Sequence, residues 1–468
     1  METLKEKTAK GMFWGGMNNV VQQIIGLVFG IILGRLLCPD DYGLIAMIMV
    51  ISLIAMALQN SGFSVGLINI KQPTHKDYNA VFWFNILMGG SLYLLLVACA
   101  PLIAWYYNEP RLTSLCRYAF LTVVMSSMGT AQSAYLTKNM KVKEMAKTGM
   151  TAVLVSSIVG VSMAYFGMGY WALASQSIVF IGMNSLLLWV FSDWRPTFEF
   201  DFSPIKRMFR FSVKMLATNI INHVNNNVLN ILLGKYYSTT ATGYYNQAYQ
   251  WNFKLFSLVQ GMLYQVTQPM LVSLREEPGR QLNALRKLIR FTAFLSFPLL
   301  LGFGLVSTEF ISVTITDKWL PAAKLIKILC VGGAVMPLHT ALSYMVITKG
   351  RSDINFWCTI GLGLVEMLIM ITIWQLGITT MVVAYTSINV VWVLVWHFFV
   401  RRLTGYSLLH LLMDTVPFAL AAFGVMALCY VATMSITNNW LLLAARIPMA
   451  VVLYFAVMKM ARVKILDE

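Results

Sequence analysis

Asn18-Asn19-Val20-Val21-Gln22-Gln23 sits inside an otherwise apolar run from about Gly11 to Leu36, and Gly26, Gly30 and Gly34 continue its polar face at three- and four-residue spacing. At about 100° per residue these positions fall within an arc of roughly 160°, leaving Val21, Ile24, Ile25, Val28 and Ile32 on the other side. The pattern recurs further along. Adding 200 to each number gives Thr218, Asn219, Asn222, His223, Asn226, Asn230 and Gly234, within a run from about Met208 to Leu233. The two copies also end alike: Leu33-Gly34-Arg35 followed by Gly43 becomes Leu233-Gly234-Lys235 followed by Gly243. Hydrocarbon cannot satisfy such an amide face, so it must meet protein or a water-filled cavity. An internal repeat arranged about a cavity is the sequence mark of a transporter.

Composition agrees. Of the 468 residues 58% are hydrophobic and only 12% charged, far from the averages of soluble domains. Since a span needs about 20 mostly apolar residues, the chain divides into about 14 segments, which predicts an all-α polytopic membrane protein. No connection is long enough for a folded soluble domain. The formal charge of +16 reports topology rather than a nucleic-acid partner. Most of the lysines and arginines fall in alternate loops, among them Lys138, Lys141, Lys143 and Lys147, then Arg275, Arg280, Arg286 and Arg290, then Lys459, Arg462 and Lys464. By the positive-inside rule that side, with both termini, is cytoplasmic. The first apolar run is too long for a cleaved signal, so span 1 is expected to remain. Cys38, Cys99, Cys116, Cys330, Cys358 and Cys429 show neither a disulfide framework nor metal-ligand spacing, and no metal site is expected. The chain also lacks a phosphate loop, a nucleophile elbow and an acidic metal cluster, so transport rather than catalysis is expected.

Two spans carry the chemistry. Span 7 (208–233) presents Lys214, Asn219, Asn222, Asn225 and Asn226 opposite Val213, Ala217, Ile220, Val224 and Val228. Span 8 (243–272) aligns Gln247, Gln250, Lys254, Ser257, Gln265 and Gln268 within about 80°, with Tyr244, Trp251 and Tyr264 at its flanks. Amides pair their donors and acceptors with sugar hydroxyls, and aromatic rings offer flat apolar faces. The lysines suit phosphate: a Lys at mid-span costs about 2.5–3.5 kcal/mol, which an anionic ligand offsets in part. Lys254 and Lys214 are therefore candidate cavity cations. Asn18, Asn19, Gln22, Gln23, Asn219, Asn222, Asn226, Gln247 and Gln250 are the candidate polar lining. Each amide could instead bond a neighbouring helix, and Lys214 could snorkel to the surface. No cofactor is expected, and a proton or sodium ion is a candidate for coupling at Glu366, deep in span 11 (354–375), or at His223. Glu366 could equally pair with Lys254. Asp414 and Arg446 lie near span ends and are expected to reach headgroups.

The stretch from Gly62 through Ile68, Lys71, Gln72 and Asp77 into Phe82-Trp83-Phe84-Asn85 resembles the polysaccharide transporter family, as do Ala100-Pro101, Tyr106-Tyr107, Pro110 and Gly167-Met168-Gly169-Tyr170-Trp171-Ala172. Within it the chain is most similar to the colanic-acid exporter and O-antigen flippase group of the multidrug/oligosaccharidyl-lipid/polysaccharide exporter superfamily. The resemblance implies two six-helix lobes rocking about a central cavity, at 1–195 and 196–402, with two C-terminal helices in 403–468 that cover the lobes or hold a lipid tail. It also implies a flippase of the bacterial inner membrane. The partners would be a polyprenyl-pyrophosphate-linked glycan, membrane lipids and polysaccharide-assembly proteins. A multidrug exporter of the same superfamily is the alternative, although cationic drugs favour an acidic cavity. A glycan polymerase or glycosyltransferase is a further one, although no large outer loop or catalytic carboxylate constellation is present.

Overall fold

The computed structural model describes residues 4–60 and 62–461, and side chains for all of these except 4–13, 207–215 and 265–266. Among the described residues every regular element is helical. Contacts divide the chain into two compact units, Met1–Gly243 and Tyr244–Glu468.

The first unit holds α1 (Leu4–Leu36), α2 (Pro39–Asn60), α3 (Phe63–Asn69), α4 (His75–Tyr107), α5 (Arg111–Ala119), α6 (Leu121–Lys138), α7 (Val142–Tyr165), α8 (Tyr170–Phe191) and α9 (Ser203–Tyr236), and it ends in the first turn of α10 (Thr239–Ser273). Two expected spans are broken. Between α2 and α3 the chain passes Gly62 at φ 71, and α5 gives way to α6 at Phe120. α4 shows how sequence fixes an end. The Thr74 and Asp77 side chains each accept a hydrogen bond from the other's backbone N–H, closing a capping box. Its C-terminus stops at Asn108, which adopts the left-handed conformation at φ 54. Leu44, Met47 and Ile48 of α2 pack on Ala100 and Ala104 of α4 and on Leu112 and Leu115 of α5. One buried amide of this unit ties three helices together: Gln59 Nε2 donates to Asn85 Oδ1 at 2.9 Å and to Thr130 Oγ1 at 3.1 Å, linking α2, α4 and α6.

The second unit continues α10 and adds α11 (Pro278–Thr314), α12 (Leu320–Thr348), α13 (Ser352–Ile373), α14 (Ile378–Thr404), α15 (Leu408–Ala432) and α16 (Asn439–Met460). α11 is its hub, with α12 on one side and α15 and α16 on the other. α14 packs on α12 and carries α13. Interior prolines such as Pro298, Pro337, Pro417 and Pro448 are tolerated in membrane helices because neighbours satisfy the freed carbonyls.

Eleven segments among the described residues are long and apolar enough to cross a membrane, namely α1, α2 with α3, α4, α7, α8 and the helices from α11 to α16. α9 and α10, of 34 and 35 residues, also exceed the length a span needs. With α5 and α6 forming one broken segment, the helices follow the expected order of about 14 spans. The chain is a multi-pass membrane protein. The sequence pattern restarts near 195, whereas contacts thin at Gly243, because α9 packs against α2, α3 and α4. The two boundaries mark different things.

Candidate functional site

In the first unit the repeated polar face splits by position. Asn18 and Gln22 turn towards α7. Gln22 Nε2 donates to Asn18 Oδ1 at 2.7 Å, and a Cβ on Gly149 would come within 2.5 Å of that nitrogen. Asn19 and Gln23, one position on, are exposed. The first pair therefore forms a packing seam and the second an open face, a distinction that a 160° arc cannot make.

On α9 the division is similar. Asn219, Asn222 and Asn226 are exposed, and His223 is half-buried. Val228 is buried, and Val224 lines an apolar hollow with Val50 and Ile54 of α2 and Tyr107 of α4. Asn227 and Asn230 are buried and bonded within the helix, Asn227 Nδ2 to the His223 carbonyl at 3.0 Å and Asn230 Nδ2 to Asn227 Oδ1 at 3.2 Å. Lys214 and Gln265 lie outside the residues whose side chains are described.

The repeated glycines meet where α2 and α10 begin. A Cβ on Gly43 would lie 1.8 Å from the Thr239 carbonyl oxygen, and a Cβ on Gly243 would lie 1.8 Å from the Pro39 carbonyl oxygen. Only glycine permits this reciprocal contact between residues 39–43 and 239–243. Polar groups surround it. Arg111 Nη1 donates to Asp40 Oδ2 at 2.7 Å, and its Nε and Nη2 donate to the Glu109 carboxylate at 2.8 and 2.9 Å. Hydrogen bonds from Arg111 hold the Glu109 carboxyl below the usual range. Thr239 Oγ1 donates to Asp40, and Lys235 reaches the Tyr106 carbonyl with its ammonium 4.5 Å from that ring's centroid.

In the second unit Lys254 is half-buried, with its ammonium 4.6 Å from the centroid of the Trp251 ring. Trp251 is not the open sugar platform expected at the flank of the stripe. It is buried edge-to-face against Phe310, at 5.0 Å between centroids, and serves the lysine as a cation–π face. Gln250 is half-buried, but Gln247 is buried, so the stripe on α10 is not uniformly open.

Glu366, 1% exposed, pairs with an amide rather than with Lys254: its Oε1 accepts from Asn389 Nδ2 of α14 at 2.8 Å. His339 of α12 donates from Nε2 to the Asn389 carbonyl at 2.9 Å, a partner the sequence pattern did not reveal. Asn252 Oδ1, Thr386 Oγ1 and Asn389 Oδ1 are buried without hydrogen-bond partners, and all three residues line one small cavity with Tyr249 and Tyr385. Buried oxygens of this kind require a proton donor, a water or a cation.

Two charged groups expected at headgroups are instead buried and paired. Asp414 accepts from Arg286 Nε at 2.8 Å and from the Tyr406 hydroxyl at 3.0 Å, with Arg290 3.6 Å away. Arg446 donates to Glu309 at 2.6 Å and to Thr433 Oγ1 at 2.8 Å. Arg446 also borders an apolar groove of about 350 Å³ among α10, α11, α15 and α16, which includes Leu255, Phe294, Pro298, Gly302, Met426 and Ala450.

The chain and its multi-helix membrane fold have counterparts among known proteins. The chain is 25% identical over 436 residues to the teichuronic acid biosynthesis protein TuaB of Bacillus subtilis (strain 168), covering 91% of this chain and 90% of the relative. It is 25% identical over 360 residues to the lipopolysaccharide biosynthesis protein WzxC of Escherichia coli (strain K12), covering 76% and 72% respectively. Its fold is that of a solved lipid II flippase, MurJ, in an inward closed conformation, with a TM-score of 0.77 at 15% identity over 96% of this chain and 99% of that one. The sequence profile of the polysaccharide biosynthesis protein family matches residues 32–324, well over half of the sequence, and the chain belongs to that family.

Proposed function

We propose that this protein is a flippase of the bacterial inner membrane that moves a polyprenyl-pyrophosphate-linked oligosaccharide from the cytoplasmic to the outer leaflet. The observation that carries the reading is the open amide face of Asn219, Asn222 and Asn226 on α9, matched by Asn19 and Gln23 on its repeat α1. Amides in hydrocarbon are costly, and sugar hydroxyls are the partners they fit. Lys254 supplies the counter-charge for pyrophosphate, with Lys214 as its second candidate. The names of the lipopolysaccharide and teichuronic acid relatives, together with the lipid II cargo of the solved flippase, support the same class of cargo here.

Transport proceeds by alternating access, in which the Gly43–Gly243 crossing closes one side. Coupling runs through Glu366, where the unpartnered oxygens of Asn252, Thr386 and Asn389 suit a proton-bearing group or a sodium ion. His223 is a second candidate. Both termini lie in the cytoplasm, and polysaccharide-assembly proteins are the expected partners.

The test is deletion of the gene in its host. The expected outcome is a lipid-linked glycan accumulating on the cytoplasmic face, with less surface polymer. Accumulation of the glycan on the outer face would assign the protein to a later, polymerising step, and accumulation of a drug instead would favour the multidrug exporter.

A further inference from the structure

On the side of the basic loops, the faces of α11 and α16 that wall the apolar groove each continue into basic residues. On α11 the groove residues Phe294, Leu295 and Pro298 continue downwards through exposed Phe291 to exposed Lys287, and Arg290 stands one turn before Phe294. On α16 exposed Lys459 stands one turn beyond Phe455 and two beyond Val451. Residues four apart lie on one helix face, so the charged ends and the apolar walls form continuous strips. Buried Asp414 lies beside Arg290, 3.6 Å away, and also accepts from Arg286 and from the Tyr406 hydroxyl. A single buried carboxylate thus gathers two guanidiniums, which leaves the cluster net positive.

We propose that this groove binds one anionic phospholipid of the cytoplasmic leaflet, with its phosphate at Arg290 and Lys459 and one acyl chain between α11 and α16. Length selects the occupant. From Phe294 to Val306 the lining of α11 rises about 18 Å at 1.5 Å per residue. That matches one leaflet of a hydrocarbon core about 30 Å thick. Beyond it the Arg446–Glu309–Thr433 cluster closes the groove with polar groups. A polyprenyl chain would overrun the slot, whereas an ordinary acyl chain fills it. Charge selects the headgroup, because basic pockets between helices at the cytoplasmic face recruit anionic headgroups. The groove's lining residues do not include Asn219, Asn222 or Asn226, and the proposal stands whether or not cargo is assigned to those amides.

The test is native mass spectrometry of the full-length protein after exchange into equal phosphatidylglycerol and phosphatidylethanolamine. The expected result is one retained phosphatidylglycerol in preference to phosphatidylethanolamine. Arg290→Gln and Lys459→Gln should each weaken retention by about fivefold, and Ala450→Trp should abolish it by filling the groove. Glycerol phosphate, which has no tail, should not displace the lipid. Equal retention of the two lipids, unchanged retention in both charge variants, or displacement by glycerol phosphate would each overturn the proposal. The charge variants alter exposed or half-buried side chains, so they keep the test informative should Ala450→Trp fail to fold.

Discussion

Lys254 is the residue on which the proposed chemistry turns. Its ammonium rests over the Trp251 ring rather than beside a carboxylate, and a partly desolvated cation–π contact contributes about 0.5–2 kcal/mol. That is less than the cost of placing the cation at mid-span, about 2.5–3.5 kcal/mol. An anionic cargo would supply the difference. Lys254→Arg is therefore expected to keep partial export, Lys254→Gln to lose most and Lys254→Glu to lose all, at equal protein levels in the membrane. Export assays under limiting expression check this order, and wild-type export by Lys254→Glu would remove Lys254 from the site. Glu366→Gln should keep the hydrogen bond to Asn389 but end any coupling. Export by that variant should no longer respond to an imposed proton or sodium gradient, and an unchanged response would clear Glu366 of the role. At this scale the spacing placed Asn219, Asn222 and Asn226, all exposed, on one face of α9, and Glu366, which is buried, deep in its helix. The partners of buried charges could not be read from it: Asn389 is 23 residues from Glu366, and Arg446 meets Glu309 across 137 residues. Such pairs leave no periodic trace in the sequence.

Among the elements, the start of α2 against the start of α10 is the most constrained contact. Backbone meets backbone there, so sterics outweigh charge. Exposed ion pairs such as Arg111–Asp40 contribute about 0–1 kcal/mol, whereas forcing a side chain into a packed contact typically costs about 1–3 kcal/mol. Gly43→Val should part the two helix ends and expose Thr242, which is fully buried. A cysteine at position 242 should then react with a water-soluble thiol reagent several-fold faster, while Arg111→Gln leaves the rate nearly unchanged. Equal rates in Gly43→Val and its parent would show that the crossing does not close a path. The repeat of Gly43 as Gly243 is visible in the sequence, and the structure shows its reason. The break at Phe120 was not visible, because Ala119, Phe120 and Leu121 run apolar through it, whereas the break at Gly62 follows the polar stretch Gln59-Asn60-Ser61, which the expected span ran through. The seam between α1 and α7 was hidden too, since Asn18 and Asn19 look alike until Gly149 of α7 provides a place for one of them.

At the scale of the whole molecule, the all-helical membrane class follows from composition, and the order of the helices from the spacing of apolar runs. The division into compact units does not, because it depends on which neighbours α9 chooses. The loop charges predict that reporter fusions at Lys141 and Arg280 face the cytoplasm while a cysteine at Asn438 is labelled from outside, and a reversed signal at any of them would overturn the topology. Movement of a lipid-linked oligosaccharide is read most directly with the purified protein in sealed vesicles loaded with the glycan-lipid that accumulates in the deletion strain. A membrane-impermeant reagent that cleaves the glycan reports which leaflet holds it. Vesicles with the wild-type protein should expose the inner pool to the reagent, while protein-free vesicles and those with Lys254→Glu should keep it protected. Equal protection with and without the wild-type protein would contradict that movement.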